Sequence, residues 1–157
     1  MTRLRILAAA LAALLLVSVS VAAAAPYPKP PLGAWELEGS GAGFSLKNGS
    51  GKSKGQVVLS NLRFRGSGDE FCPSRDSVKV LGSYPLKQYH RAGTTAWGVG
   101  KNAGGEPTYT AAKMVVGGET VDGSFYLLWN YQDPAQILKG GFKLDGCTIE
   151  LGSGSPK

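Results

Sequence analysis

Gly51-Lys52-Ser53-Lys54-Gly55 reads as G-x-S-x-G, the pattern that presents a nucleophilic serine on a sharp strand-to-helix turn. Such an elbow needs a helix behind it and a histidine and an acid within reach. Here the pentapeptide lies in a Gly/Ser/Lys stretch with no helical pattern after it, so a flexible hairpin loop is expected. Gly51-Lys52-Ser53 also ends a phosphate-loop motif, but Leu46 stands where that motif's first glycine belongs. His90 is the chain's one histidine and could act as a general base near neutral pH. Its neighbours supply neither nucleophile nor orienting acid, and a surface turn before Ala92-Gly93 is expected. Glu36 and Glu38 share a strand face, about 6.6 Å apart along the rise. Glycosidase carboxylates flank a substrate from two sides, which one strand cannot do. No set of acid, base and nucleophile emerges, and no catalytic residue is assigned. Two cysteines and one histidine, widely spaced, make no zinc signature; neither metal nor cofactor is expected.

The binding-type residues are more suggestive. Lys47, Lys52, Lys54, Arg63 and Arg65 form a basic stretch with no acid between Gly39 and Gly68, and such a stretch can hold a polyanion by counterion release. A solvated hairpin is the plainer account. Asn48-Gly49-Ser50 matches the glycosylation sequon, to which no role is assigned. Trp97, Tyr109, Tyr126, Trp129 and Tyr131 crowd the second half. Their flat rings could stack on sugars, or simply fill a core. Lys52, Lys54, Trp97, Tyr109 and Tyr126 are therefore the candidate binding residues. The expected partner is an extracellular polysaccharide or anionic cell-wall polymer. No nucleic-acid module accompanies the lysines.

The elements that must position these residues begin after a leader. Arg3 and Arg5 precede an apolar run from Ile6 to Val21 that ends in Ala22-Ala23-Ala24-Ala25. This is the order of a secretory signal, 1–25, and the apolar run is shorter than a spanning helix needs. The chain is expected to be secreted or extracytoplasmic, with no membrane anchor after cleavage. Its formal charge of +6 loses Arg3 and Arg5 with the signal and stays mildly basic. Residues 26–32, Pro-Tyr-Pro-Lys-Pro-Pro-Leu, read as an extended polyproline-type leader. Residues 152–157, Gly-Ser-Gly-Ser-Pro-Lys, read as a flexible tail. Export also places Cys72 and Cys147 where a disulfide persists, and bridging them would stabilise the chain by about 4.5 kcal/mol on the loop-entropy account.

Between leader and tail, period-2 alternation dominates. Trp35 and Leu37 alternate with glutamates, and Phe44 and Leu46 with Ser45 and Lys47. Val58, Leu62 and Phe64 are placed on one side of 56–65, and Val78, Val80, Tyr84 and Leu86 on one side of 77–87. Val121, Phe125, Leu127, Trp129 and Tyr131 share a side of 120–131, and Cys147, Ile149 and Leu151 close the series. Further strands are expected near 95–100, 111–116 and 136–144, with Gly140-Gly141 as a bulge and 101–107 as a loop. The expected fold is all-β: one antiparallel β-sandwich or jelly-roll-like domain, 33–151, of about nine strands with one disulfide.

Gly33-Ala34-Trp35, Gly43-Phe44-Ser45-Leu46, Val58-Leu59-Ser60-Asn61-Leu62, a single mid-chain cysteine, Gly123-Ser124-Phe125 and Gly141-Phe142-Lys143-Leu144-Asp145-Gly146-Cys147 together resemble the small secreted β-sandwich proteins of high-GC Gram-positive bacteria. The resemblance spans most of the chain after the leader. It implies a fold and a bridge, and it carries over no functional residue. Three readings of function stay open: an exported non-catalytic domain that binds an extracellular ligand, an extracellular hydrolase, and a structural accessory of the cell envelope.

Overall fold

In the computed structural model of the protein, the residues described are 27–37, 42–65, 77–144 and 146–157. The signal region, Glu38 and Cys72 lie outside them. Fourteen strands are present among the described residues: β1 (Gly33–Leu37), β2 (Ala42–Asn48), β3 (Val57–Arg65), β4 (Ser77–Val80), β5 (Ser83–Pro85), β6 (Lys87–Arg91), β7 (Thr94–Val99), β8 (Lys101–Ala103), β9 (Glu106–Thr108), β10 (Thr110–Val116), β11 (Glu119–Trp129), β12 (Ile137–Leu144), β13 (Cys147–Leu151) and β14 (Gly154–Pro156). The all-β expectation holds. The count of about nine does not, because β5, β8, β9 and β14 are three-residue strands, too short to show a full alternation in sequence.

Hydrogen bonding draws a closed circuit rather than two separate sheets. The ladder runs β12-β14-β1-β2-β3-β4-β10-β11, and β11 pairs back onto β12. Every pairing is antiparallel. The wide side of the closure is the β11–β12 ladder, from Gly123↔Leu144 to Trp129↔Ile137. The narrow side is β14, which pairs with β1 from Trp35↔Pro156 to Leu37↔Gly154 and touches β12 only at Ile137↔Gly154. The expected flexible tail is thus a structural strand. Its Gly/Ser/Pro composition signals a turn, but the unpaired edge of β1 offers hydrogen bonds that composition cannot reveal.

One core fills the circuit. Trp35, Leu37, Phe44, Phe64, Val80, Phe125, Leu127, Trp129 and Phe142 are buried in it, and Ile149, expected to be buried, is half-buried against it. Trp35 stacks on Phe44 at 5.6 Å, and both meet Trp129 edge-on at 5.8 Å. Phe142 lies between Phe64 and Phe125. Glu36, Lys47, Arg63, Lys79, Lys113 and Lys143 face outward and are exposed. An apolar interior within a charged exterior is the reverse of a membrane barrel.

Two register irregularities decide which side chains face in. Between Gly43↔Arg63 and Ser45↔Ser60, β3 carries one extra residue. Asn61 sits there with φ 57°, a left-handed conformation that asparagine tolerates. Leu59 therefore faces the core before the bulge, and Leu62 and Phe64 after it. Val58 is buried outside the core cluster, so its expected side was wrong by that one residue. The second irregularity lies at Leu138, opposite the Leu128/Trp129 step, and not at Gly140-Gly141. Those glycines serve close approach. A Cβ on Gly140 would meet Leu127 Cδ2 at 2.5 Å, and one on Gly141 would meet Tyr109 Oη at 2.7 Å.

Phe125 is fully buried, with Tyr84 edge-on at 4.8 Å and Phe142 stacked at 5.9 Å. Phe125→Ala is expected to cost about 3–5 kcal/mol, read as a lowered urea midpoint with an unchanged slope. An unchanged midpoint would show that the inward face is misassigned.

Candidate functional site

The hairpin loop between β2 and β3 is a turn of 3-10 helix, Gly51–Ser53, closed by Ser53 N–H to Ser50 O and Gln56 N–H to Ser53 O, each at 3.0 Å. It leads into another strand, not a helix, so Ser53 has none of the geometry of a nucleophile elbow. Lys52 and Lys54 are exposed on it. His90 lies on β6 rather than in a turn, and its Nδ1 is 2.8 Å from Thr95 Oγ1 on β7. Glu36 faces outward 3.5 Å from Lys157 Nζ.

The candidate aromatics are separated by the wall of the barrel. Leu127↔Val99 and Leu128↔Gly98 set the register of β11 on β7. Leu127 and Val99 are core residues, so Trp97 also faces inward and packs against the core. Tyr126 is on the opposite, outer face. There it meets Tyr109 edge-on at 5.0 Å, and Lys143 Nζ lies 4.1 Å from the Tyr109 ring centre. The two phenols are half-buried, and burial raises both pKa values, with Glu150 adding to it. Rings at right angles, one already facing an ammonium, make no flat platform for a sugar. Alternation alone could not show this, since both faces of β11 are apolar.

Beside them the hairpin of β8 and β9 folds over the outer wall. Gly105 has no Cβ because the carbonyl of His90 occupies that space. Glu106 is held by Arg91 at 2.6 Å and Lys139 at 3.5 Å. Tyr89, Ala96, Leu128, Tyr131 and Leu138 line a small apolar pocket of about 90 Å³ beneath this ion cluster.

A larger concavity is on the outer face of β1, β2 and β3. Ala34, Gly43 and Ser45 point outward on adjacent strands, and the Asn61 bulge flares the third. Small side chains in a row leave an open trough of about 490 Å³, rimmed by Arg63, Lys157 and Glu36. Arg63 stands directly opposite Lys79 on β4. Like charges directly opposite one another are destabilising. Arg63 was legible as part of the basic stretch. Lys79 and Lys157 were not, because only the pairing brings them beside it.

No protein-family model, curated protein or solved structure matches the chain. The account of the site therefore rests on its geometry.

The hydrogen bond from Arg91 is the main cause that lowers the Glu106 pKa, with Lys139 adding to it. A carboxyl lowered on folding stabilises the fold above its ordinary pKa of 4.5, and that contribution is lost as pH falls through the depressed value. In Arg91→Ala, NMR titration should find the Glu106 carboxyl shifted upward toward 4.5. No movement would mean that the ion pair does not persist in solution.

Proposed function

We propose that the chain is an exported binding domain that holds an anionic extracellular polymer, such as an acidic wall glycan, across the outer face of β1 to β4. One observation carries the reading: Arg63, on the rim of a polar trough that it shares with the Lys157–Glu36 ion pair, stands directly opposite Lys79 on β4. An anion bridging the two cations would convert their repulsion into attraction. The trough is open and floored by the small residues Ala34, Gly43 and Ser45, which suits a chain-like ligand passing over it. Lys52 and Lys54 stand on the hairpin at the end of the same strands and extend the positive field without lining the trough.

Export is part of this proposal and rests on the charged, apolar and small-residue order of 1–25. So is a Cys72–Cys147 bridge. Cys147 is buried on β13, no described cysteine is free, and the chain's other cysteine is Cys72. Non-reducing peptide mapping of the secreted protein should recover the two cysteines in one cross-linked fragment. Alkylation of both would refute the bridge.

Co-sedimentation with insoluble acidic and neutral glycans tests the ligand class. Arg63→Ala with Lys79→Ala should weaken retention on the acidic polymer at least ten-fold at low salt. Lys52→Ala with Lys54→Ala should weaken it less, through long-range field alone. Added salt should remove the difference among all three proteins. Retention of the wild type on neutral glycan alone, or on neither, would refute the anionic reading.

A further inference from the structure

The three tryptophans of the chain gather at one end of the barrel. Trp35 and Trp129 touch at 5.8 Å. Trp97 faces inward on β7, next to Gly98, which pairs with Leu128. This end is bounded by the β2–β3 loop and the β11–β12 loop. Residues 27–32 do not hang free there; they cross it. Trp97 Nε1 donates to the Pro28 carbonyl at 2.9 Å, and Trp35 Nε1 donates to the Pro31 carbonyl at 3.1 Å. Lys29 Nζ reaches the Gly55 carbonyl at 3.4 Å and lies 5.9 Å from the Trp97 ring centre. Pro30 is buried. The Tyr27 hydroxyl is buried as well, and its pKa is raised first by desolvation and then by Asp133 and Tyr131 of the β11–β12 loop.

The spacing of those carbonyls is informative. From Tyr27 to Pro31 every residue is a proline or precedes one. Proline fixes φ near −65°, and the residue before it is driven to extended or polyproline values. The segment is thus a polyproline II helix by composition, with three residues per turn. Pro28 and Pro31 are one turn apart, so their carbonyls lie on one face, about 9 Å apart along the axis. Proline lacks an N–H, so such a helix offers a partner carbonyls and ring faces. Indole donors on an aromatic wall are the complement to that, and grooves for proline-rich peptides are built this way. Trp129 Nε1, buried in the same cluster, has no hydrogen-bond partner among the described residues.

We propose that the Trp35–Trp97 end of the barrel is a receptor for proline-rich segments in the polyproline II conformation, and that the chain's own leader is its resident ligand. A proline-rich stretch of another exported protein, with a cation between prolines as at Lys29, is the partner it fits. The leader competes with that partner at the high effective concentration of a tethered ligand, so it sets the threshold for binding in trans. This surface is separate from the cationic face of β1 to β4, and neither reading needs the other.

The test uses the full secreted chain and a synthetic peptide, Pro-Tyr-Pro-Lys-Pro-Pro. Pro28→Gly with Pro30→Gly loosens the leader and leaves both tryptophans in place. That variant should bind the peptide saturably, read by tryptophan emission and by the indole N–H resonances. The wild type should bind it at least ten-fold more weakly. Adding Trp97→Phe, which keeps the ring but removes the donor, should reduce peptide binding to the level of a glycine-serine control peptide. Circular dichroism checks that each variant is folded. Should the loosened variant misfold, indole exchange in the wild type decides: Trp35 and Trp97 N–H protected as hydrogen-bonded donors supports the proposal, and rapid exchange of both overturns it. A folded variant that ignores the peptide, or that instead pairs with a second copy as its concentration rises, also overturns it.

Discussion

Closure of the barrel depends on one glycine. Gly154 lies between Leu37 of β1 and Ile137 of β12, and a Cβ there would stand 2.6 Å from Leu37 Cδ2 and 2.9 Å from the Glu36 carbonyl. On every other side of the circuit the strands meet along several residues, whereas here β12 reaches β14 through a single pair. Without that contact β14 would stay on β1 through its own pairs, and the seam between β14 and β12 would open. The aromatic group of Trp35, Phe44 and Trp129, which spans β1, β2 and β11, would then face an open seam. The core and the closure are therefore coupled: the rings bury themselves only if the seam closes, and the seam is held by what the rings exclude from water.

The same closure creates the surfaces on which function is argued. Pairing β14 to β1 carries Lys157 to the rim of the outer trough, where its backbone N–H donates to the Ala34 carbonyl at 2.9 Å. It also fixes Trp35 at the end of the barrel, beneath the leader. The outer wall and the end then have different chemistry. The wall offers exposed cations beside small residues, and the end offers indole donors in an apolar setting. Both follow from where small residues alternate with large ones along the strands.

Much of this was legible in the sequence. Alternation located the strands around Trp35, Phe44, Phe125 and Cys147, and most residues it placed inward are buried; Tyr84, Val121 and Ile149 are half-buried, and Tyr131, expected on the side of Phe125, is exposed beyond the end of β11. What failed was whatever depends on pairing. A single extra residue at Asn61 reversed the expected side of Val58, since a period of two has no tolerance for an insertion. The tail and the 101–107 segment looked like loops because three-residue strands carry no periodic signal and the glycines beside them read as turns. The candidate site divided for the same reason. Trp97 and Tyr126 are both aromatic residues on strands, but only the register of β7 on β11 reveals that one faces in and the other out. Lys79 became relevant only when β4 was seen to lie against β3.

The most direct measurement is amide hydrogen exchange on Gly154→Val, compared with the wild type. Closure through β14 requires that the substitution release β1, so that amides of residues 33–37 exchange well before those of β11 and β12, with a loss of global stability. If 33–37 and the β11–β12 ladder stay equally protected and the unfolding midpoint does not move, the seam at Gly154 does not hold the barrel closed.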